Sequence, residues 1–291
     1  MTGRTAVVTI VHGRHEHLAG LLWGLGRQER PVDLFVAVAM DDTGIAAVVD
    51  RCAPPTSQVL VPGVPRAPEG LPLATARNEG ARAAIEAGAE TLVFLDVDCI
   101  PSPGLVGRYA ELLPRRHTSL PDPGPGPTVL AGEVAYLPPV GHPRDYRLVD
   151  LAALARPHPA RPVLAPDDVQ PADDLRLFWS LSFAVTAADW ERVGGFDQTY
   201  VGYGAEDTDF GQRLAEAGGV LWWVGGAQAY HQHHPSPDPP LQHLESIVAN
   251  ANRFHQRWGW FPMEGWLDRF AALGLARLDP HTGHWHCVRP R

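Results

Sequence analysis

The sequence predicts an α/β fold, a Rossmann-like and mainly parallel central sheet flanked by helices. Three observations carry this: β-branched apolar runs alternate with helical runs, glycine and proline punctuate the changes, and acidic residues gather where the runs end. Residues 6–11 (AVVTIV) form the first strand, pass through His12-Gly13-Arg14, and give way to a helical run over 15–27. A second strand over 34–40 ends at Asp41-Asp42-Thr43-Gly44, where carboxylates meet a turn-forming glycine. A link rich in proline (Pro54, Pro55, Pro62, Pro65, Pro68) precedes an alanine-rich helix over 73–87 that stops at Gly88. Residues 91–95 are continuously apolar, as in a strand covered on both faces, and stop at Asp96-Val97-Asp98. Ligands of doubly wound sheets bind beyond the C-terminal strand ends, where Asp41, Asp42, Asp96 and Asp98 fall.

The second half is read in the same way. Residues 121–127 form a loop, and 138–171 show no period that warrants an element. A strand is expected over 177–185 and a helix over 187–193, with Gly194-Gly195-Phe196-Asp197 turning the chain. A further helix starts near Asp207, with Phe210, Leu214 and Ala217 on one face and Asp209 four residues before Arg213. A helical run over 241–258 and an aromatic segment around Trp260, Phe261 and Trp266 follow. The expected organisation is one domain over 1–240, with a nucleotide-binding half (about 1–110) and an acceptor-binding half (111–240). Residues 241–291 are a helical extension packed on it.

Composition narrows the function classes. At 291 residues with 45% hydrophobic and 20% charged side chains, the chain has material for a sizeable core. Lys and Arg total 24 against 33 Asp and Glu, a net charge of -9, and no basic run is long enough to track a phosphate backbone, so no nucleic-acid partner is expected. Cys52, Cys99 and Cys287 form no C-x-x-C pair, which argues against a disulfide framework or a cysteine zinc site and fits a reducing cytoplasm. Neither a signal pattern nor a transmembrane span is seen, although peripheral contact with a membrane remains compatible.

Three constellations carry chemistry. Asp96 and Asp98 lie two apart on an extended segment, so their carboxylates project to one side, and a divalent cation is the usual means of keeping such a pair ionised. That cation neutralises a departing diphosphate. An isolated Asp-x-Asp is common in solvated turns, but this one ends a buried-type strand and is followed at once by Cys99-Ile100-Pro101. In Gly202-Tyr203-Gly204-Ala205-Glu206-Asp207-Thr208-Asp209-Phe210, the helix macrodipole and Arg213 account for Asp209. They leave Glu206 or Asp207 free to act as a general base toward an acceptor hydroxyl. Tyr230-His231-Gln232-His233-His234-Pro235 sets three imidazoles within four positions, and imidazole beside carboxylate suits Mn²⁺ better than Mg²⁺. Among the aromatics, Trp179, Trp222 and Trp223 read as core. Tyr203 and Trp260 read as sugar platforms, with Gly202 and Gly204 permitting the loop before the base to close.

These blocks, with Ala76-Arg77-Asn78-Glu79-Gly80 and Gly194-Gly195-Phe196-Asp197, resemble GT-A glycosyltransferases in order and spacing over about residues 5–235. The likeness is to bacterial family 2 enzymes, with 183–210 similar to the galactosyltransferase C-terminal motif. The resemblance implies transfer of a sugar, UDP-linked, from a nucleoside diphosphate by a single inverting displacement. It implies Asp98 as metal ligand with His231 or His234, His231 preferred. Val11, Arg14, Asp41, Asp42, Arg77, Asp96 and Val97 fall on the nucleotide side, Asp207 takes the place of the catalytic base, and Glu206 contacts sugar. The acceptor, a saccharide, natural product, lipid or peptide, is not implied. A nucleotidyltransferase would want a glycine-rich basic phosphate loop where residues 11–16 offer Gly13 and Arg14. A non-catalytic sugar- or metal-binding descendant would show a broken acidic set, and Asp96, Asp98, Glu206 and Asp207 are all present.

Overall fold

The computed structural model describes residues 3–54, 57–121 and 124–288; Pro55 of the proline-rich link and Asp122 and Pro123 of the 121–127 loop lie outside them. The first half runs β1 (Thr5–Val11), α1 (His15–Leu25), β2 (Leu34–Met40), α2 (Ile45–Cys52), the short β3 (Gln58–Leu60) and β4 (Gly63–Val64), and α3 (Leu73–Glu86). It continues with β5 (Thr91–Leu95), β6 (Cys99–Pro101), α4 (Leu105–Leu112) and α5 (Arg116–Ser119). The second half runs β7 (Thr128–Tyr136), α6 (Leu151–Leu154), β8 (Arg156–Pro157), β9 (Val169–Pro171), β10 (Ser182–Thr186), α7 (Ala187–Val193), α8 (Glu206–Glu216) and β11 (Val220–His231). Last come α9 (Leu244–Trp258), α10 (Glu264–Ala272) and the hairpin of β12 (Ala276–Leu278) and β13 (Trp285–Cys287).

The main path of the sheet is β3-β2-β1-β5-β10-β7-β11-β6. β1 pairs in parallel with β2 and β5, and β7 with β11, whereas β10 runs antiparallel to both β5 and β7. Because β10 reverses twice, the C-terminal ends of β1, β2, β5, β7 and β11 share one edge. Alternation along each strand sorts side chains to two faces. Val7 and Val11 join the helices α1, α2 and α4 on one side, and Ala6, Val8 and Ile10 join α3, α7 and α8 on the other. Trp222 and Trp223 divide in the same manner and are core, as expected. A smaller cluster of Ile247, Ala251, Leu267, Phe270 and Trp285 closes α9, α10 and the β12–β13 hairpin on one another.

The strand expected over 177–185 begins only at Ser182. The buried Arg161 donates to the carbonyls of Leu177 and Trp179 at 3.0 and 3.1 Å, taking acceptors that a continuing strand would give to its neighbour. Trp179 is accordingly only half-buried, beneath that guanidinium at 4.5 Å. A second irregularity lies between β7 and β11, whose register shifts between Val224 and Ala229. The loop-out brings Ala227 so close that a Cβ at Gly132 would lie 1.9 Å from its carbonyl oxygen. Gly132→Ala is therefore expected to lower unfolding free energy by about 1–3 kcal/mol in denaturant titration, as overpacking of a core does. An unchanged midpoint would show that the two strands separate freely there.

Candidate active site

The turn between β5 and β6 is anchored at both acids. The Asp96 amide donates to Leu181 O at 2.9 Å, and the Asp98 carbonyl accepts from the Gln232 amide at 2.7 Å. That second bond fastens the end of β11 beside Asp98. His231 Nε2 lies 3.5 Å from Asp98 Oδ1 and His234 Nε2 lies 3.4 Å from Asp98 Oδ2, so both histidines meet the acid. Their ligand atoms fall within 4.8 Å of one another. Asp98 is 6% exposed, and its Oδ1 has no hydrogen-bond donor. An orphaned carboxylate oxygen facing an imidazole is what a cation would complete, and the oxygen-plus-imidazole set fits a first-row divalent ion. Burial alone would raise the Asp98 pKa, but the hydrogen bond from His234 and the charges of His231 and Arg14 hold it below the usual carboxylate range. Burial is the main cause that lowers the His231 pKa, against the pull of Asp98. The Arg14 guanidinium, on a residue with φ 49°, also reaches Asp98 Oδ2.

The second group of acids faces the first across Arg77. This residue of α3 is 5% exposed and donates to Glu206 Oε1 at 3.0 Å and to Asp96 Oδ1 at 3.4 Å. Its guanidinium lies 5.2 Å from the Phe196 ring, and the neighbouring Asn78 exchanges two 2.8 Å hydrogen bonds with the Phe196 backbone. The Arg77-Asn78, Gly-Gly-Phe-Asp and Glu-Asp blocks thus meet in one place. Burial is the main cause that raises Asp96, to about 6, with Arg77 opposing it and Asp98 adding to it. Asp207, in the first turn of α8, is pushed up to about 7, first by burial and then by the adjacent Glu206 charge, with Arg77 opposing. A carboxylate in that range accepts a proton at neutral pH far more readily than an ordinary aspartate.

The other residues singled out from sequence are placed as follows. Asp42 is committed within the fold: its carboxylate accepts from the amides of Gly13 (2.8 Å) and Gly44 (2.9 Å) and meets His15 Nε2 at 2.9 Å. It fixes the β1–α1 loop to the β2–α2 loop. Asp41 beside it is exposed, with φ 49°. Val11 and Val97 are buried and contribute backbone to the same edge. Arg77 is enclosed by acids. Asp209 is fully buried, paired with Arg213 Nε at 2.8 Å as its spacing suggested, and also accepts from Trp258 Nε1 at 2.9 Å. Tyr203 is 41% exposed and stacks on His243 at 4.7 Å. Trp260 instead packs edge-on against Phe254 at 4.6 Å, which spends one of its faces on structure.

Sequence reasoning missed several neighbours. Gln232 is fully buried between the histidines, and its side chain donates to His17 O at 3.0 Å, binding β11 to α1. Tyr136 lies against His231 with ring centroids 4.9 Å apart, and His158 meets the edge of Trp179 at 4.8 Å, walling the site from the second half. Both contacts join segments far apart in sequence, so spacing carried no trace of them.

Comparison with known proteins finds likeness to glycosyltransferases. A family model described as the N-terminal domain of galactosyltransferase matches residues 161–235, which include α8 and the end of β11. Validoxylamine A glucosyltransferase of Streptomyces hygroscopicus subsp. jinggangensis is 28% identical over 272 residues, covering 86% of this chain and 60% of that one. The namesake from subsp. limoneus is also 28% identical, with 86% and 55% covered, so the chain spans less than two thirds of either relative. Among solved structures, S. aureus TarS 1-349 in complex with UDP-GlcNAc superposes with a TM-score of 0.54 at 13% identity, over 87% of this chain and 64% of that one. GalNAc-T7 with UDP, GalNAc and Mn²⁺ does so with a TM-score of 0.53 at 13% identity, over 93% and 57%. At such identities the superpositions show the fold, which is that of the GT-A enzymes.

Proposed function

We propose that this chain, a glycosyltransferase of the GT-A type, transfers a hexose from a UDP-sugar to an acceptor hydroxyl with inversion, using Asp207 as base and a divalent cation held by Asp98, His231 and His234. The observation that carries this reading is that Arg77 joins the two acidic blocks, bonding Asp96 beside the three-ligand cluster and Glu206 beside the raised Asp207 carboxylate. When bound, the cation offsets charge on the diphosphate, so that UDP departs without protonation. Mn²⁺ suits the mixed oxygen and nitrogen donors better than Mg²⁺ does.

The remaining work falls to side chains of the chain itself. Arg14, half-exposed beside Asp98, brings positive charge to the diphosphate side. Asp96 stands on the ribose side of the pair. Arg77 holds Asp96 and Glu206 at fixed separation, while Asp207 takes the proton of the attacking hydroxyl. As that hydroxyl oxygen bonds to the anomeric carbon, the bond from this carbon to the diphosphate oxygen breaks, and UDP leaves from the opposite face. Tyr203, exposed above the acids, offers its ring to a sugar.

The names of the relatives favour a glucosyl donor, so UDP-glucose leads the test panel. Purified protein with Mn²⁺ is expected to bind one UDP-sugar saturably and release UDP only when metal is present. The anomeric proton of the product should report inversion in its NMR coupling constant. Failure to bind any nucleotide sugar would overturn the assignment, and a retained configuration would remove Asp207 from the role of base.

A further inference from the structure

The segment that delivers the base is held from outside the sheet. Residues 202–205 carry three left-handed conformations, Gly202 (φ 75°), Gly204 (φ 101°) and Ala205 (φ 72°), immediately before Glu206 and Asp207. For alanine that conformation costs roughly 1–2 kcal/mol, so it persists only where the surroundings determine it. One face of α9 supplies them. Ser246, Asn250, Arg253 and Arg257 recur at helical spacing, and each bonds to the segment or its flanks. Asn250 is the innermost, at 1% exposure. Its Nδ2 donates to the carbonyls of Val201 and Gly204, both at 3.0 Å, with that of Tyr203 at 3.5 Å. Ser246 Oγ accepts from the Tyr203 amide at 3.2 Å.

We propose that Asn250 is a positioning residue for the transfer step: its amide gathers the carbonyls on either side of Tyr203 and so fixes where α8 begins and where Asp207 points. The proposal takes Asp207 as the base, as read above. Removing the amide leaves part-buried carbonyls without their partner, and the strained segment relaxes toward right-handed backbone. The body of α8 stays in place, because Phe210 and Leu214 are buried in the core and Arg213 donates to the carbonyls of Val193 and Gly195. Displacement is thereby confined to the start of the helix, and the cluster of Asp98, His231 and His234 lies on other elements.

The test compares Asn250→Ala and the milder Ser246→Ala with the wild type in three measurements: amide hydrogen exchange over 201–207, calorimetric binding of UDP in the presence of Mn²⁺, and steady-state transfer. For Asn250→Ala, exchange over 201–207 should accelerate and kcat should fall about a hundredfold, the cost of misplacing a reacting group by an ångström, at unchanged UDP affinity. Wild-type exchange, a near wild-type kcat, or a UDP affinity that falls as far as kcat would each overturn the proposal. If Asn250→Ala does not fold, Ser246→Ala must show the same split at smaller amplitude, and wild-type values there would overturn it as well. Asp207→Asn serves as the control. Survival of transfer in that variant would sink the base assignment, yet the exchange data would still report whether α9 holds the segment.

Discussion

Asp207→Asn is expected to lower the transfer rate by about a thousandfold while Mn²⁺-dependent UDP binding stays intact. The substitution keeps the shape and the acceptor oxygen that receives the Thr208 amide at 2.7 Å, but removes the basic carboxylate. Burial first, and the Glu206 charge second, raise Asp207 to about 7, and the base works only when ionised. The kcat/KM profile of the wild type should therefore fall about tenfold per pH unit below that value and level off above it. In the variant this acid limb should vanish from the residual rate. A limb near the ordinary aspartate value of about 4, or transfer at close to the wild-type rate, would remove Asp207 from the mechanism.

Asp98→Ala should act on the other half of the site. Both histidines meet this carboxylate, and its loss leaves two imidazoles with no anionic partner between them. Altering a group that merely supports a metal ligand typically weakens metal affinity by about 10–100-fold, so removing a ligand should exceed the upper end of that range. Calorimetry of UDP binding with and without Mn²⁺ separates the effects. The metal-dependent gain in affinity should disappear, and the weak metal-free binding should remain. An unchanged Mn²⁺ titration would overturn the metal assignment. With Asp207→Asn this forms a crossed pair, one variant keeping metal-dependent binding without transferring and the other losing the metal-dependent part of binding.

Much of the architecture was legible because it is repetitive. The β1, β2 and β5 runs are predominantly apolar, Gly88 stops α3 with φ 85°, and α7 spans the residues that the pattern indicated. The strand-end acids followed from the same logic. What could not be read were partners supplied by other loops. Asp42 resembles a nucleotide-binding acid in one dimension, yet it faces the amides of Gly13 and Gly44 once β1 and β2 are side by side. Arg77 looked like a pocket-lining cation, and its acids lie 19 and 129 positions away. The preference for His231 over His234 had no basis in spacing, and both imidazoles approach Asp98. Arg161 ended a strand that periodicity carried too far, because a hydrophobic pattern does not reveal which carbonyls a buried guanidinium will claim.

The register shift between β7 and β11 has a consequence for how this chain tolerates insertions and deletions. From Val224 to Ala229 β11 advances five residues while β7 advances two, from Gly132 to Val134, an odd surplus. Because side chains alternate along a strand, parity decides that His231 faces Asp98 and Tyr230 packs into the small core with Ile100 and Tyr146. An even surplus would exchange them. Length in that short stretch is therefore fixed more strictly than identity, and the place of a metal-type ligand is set by a count made several residues before it.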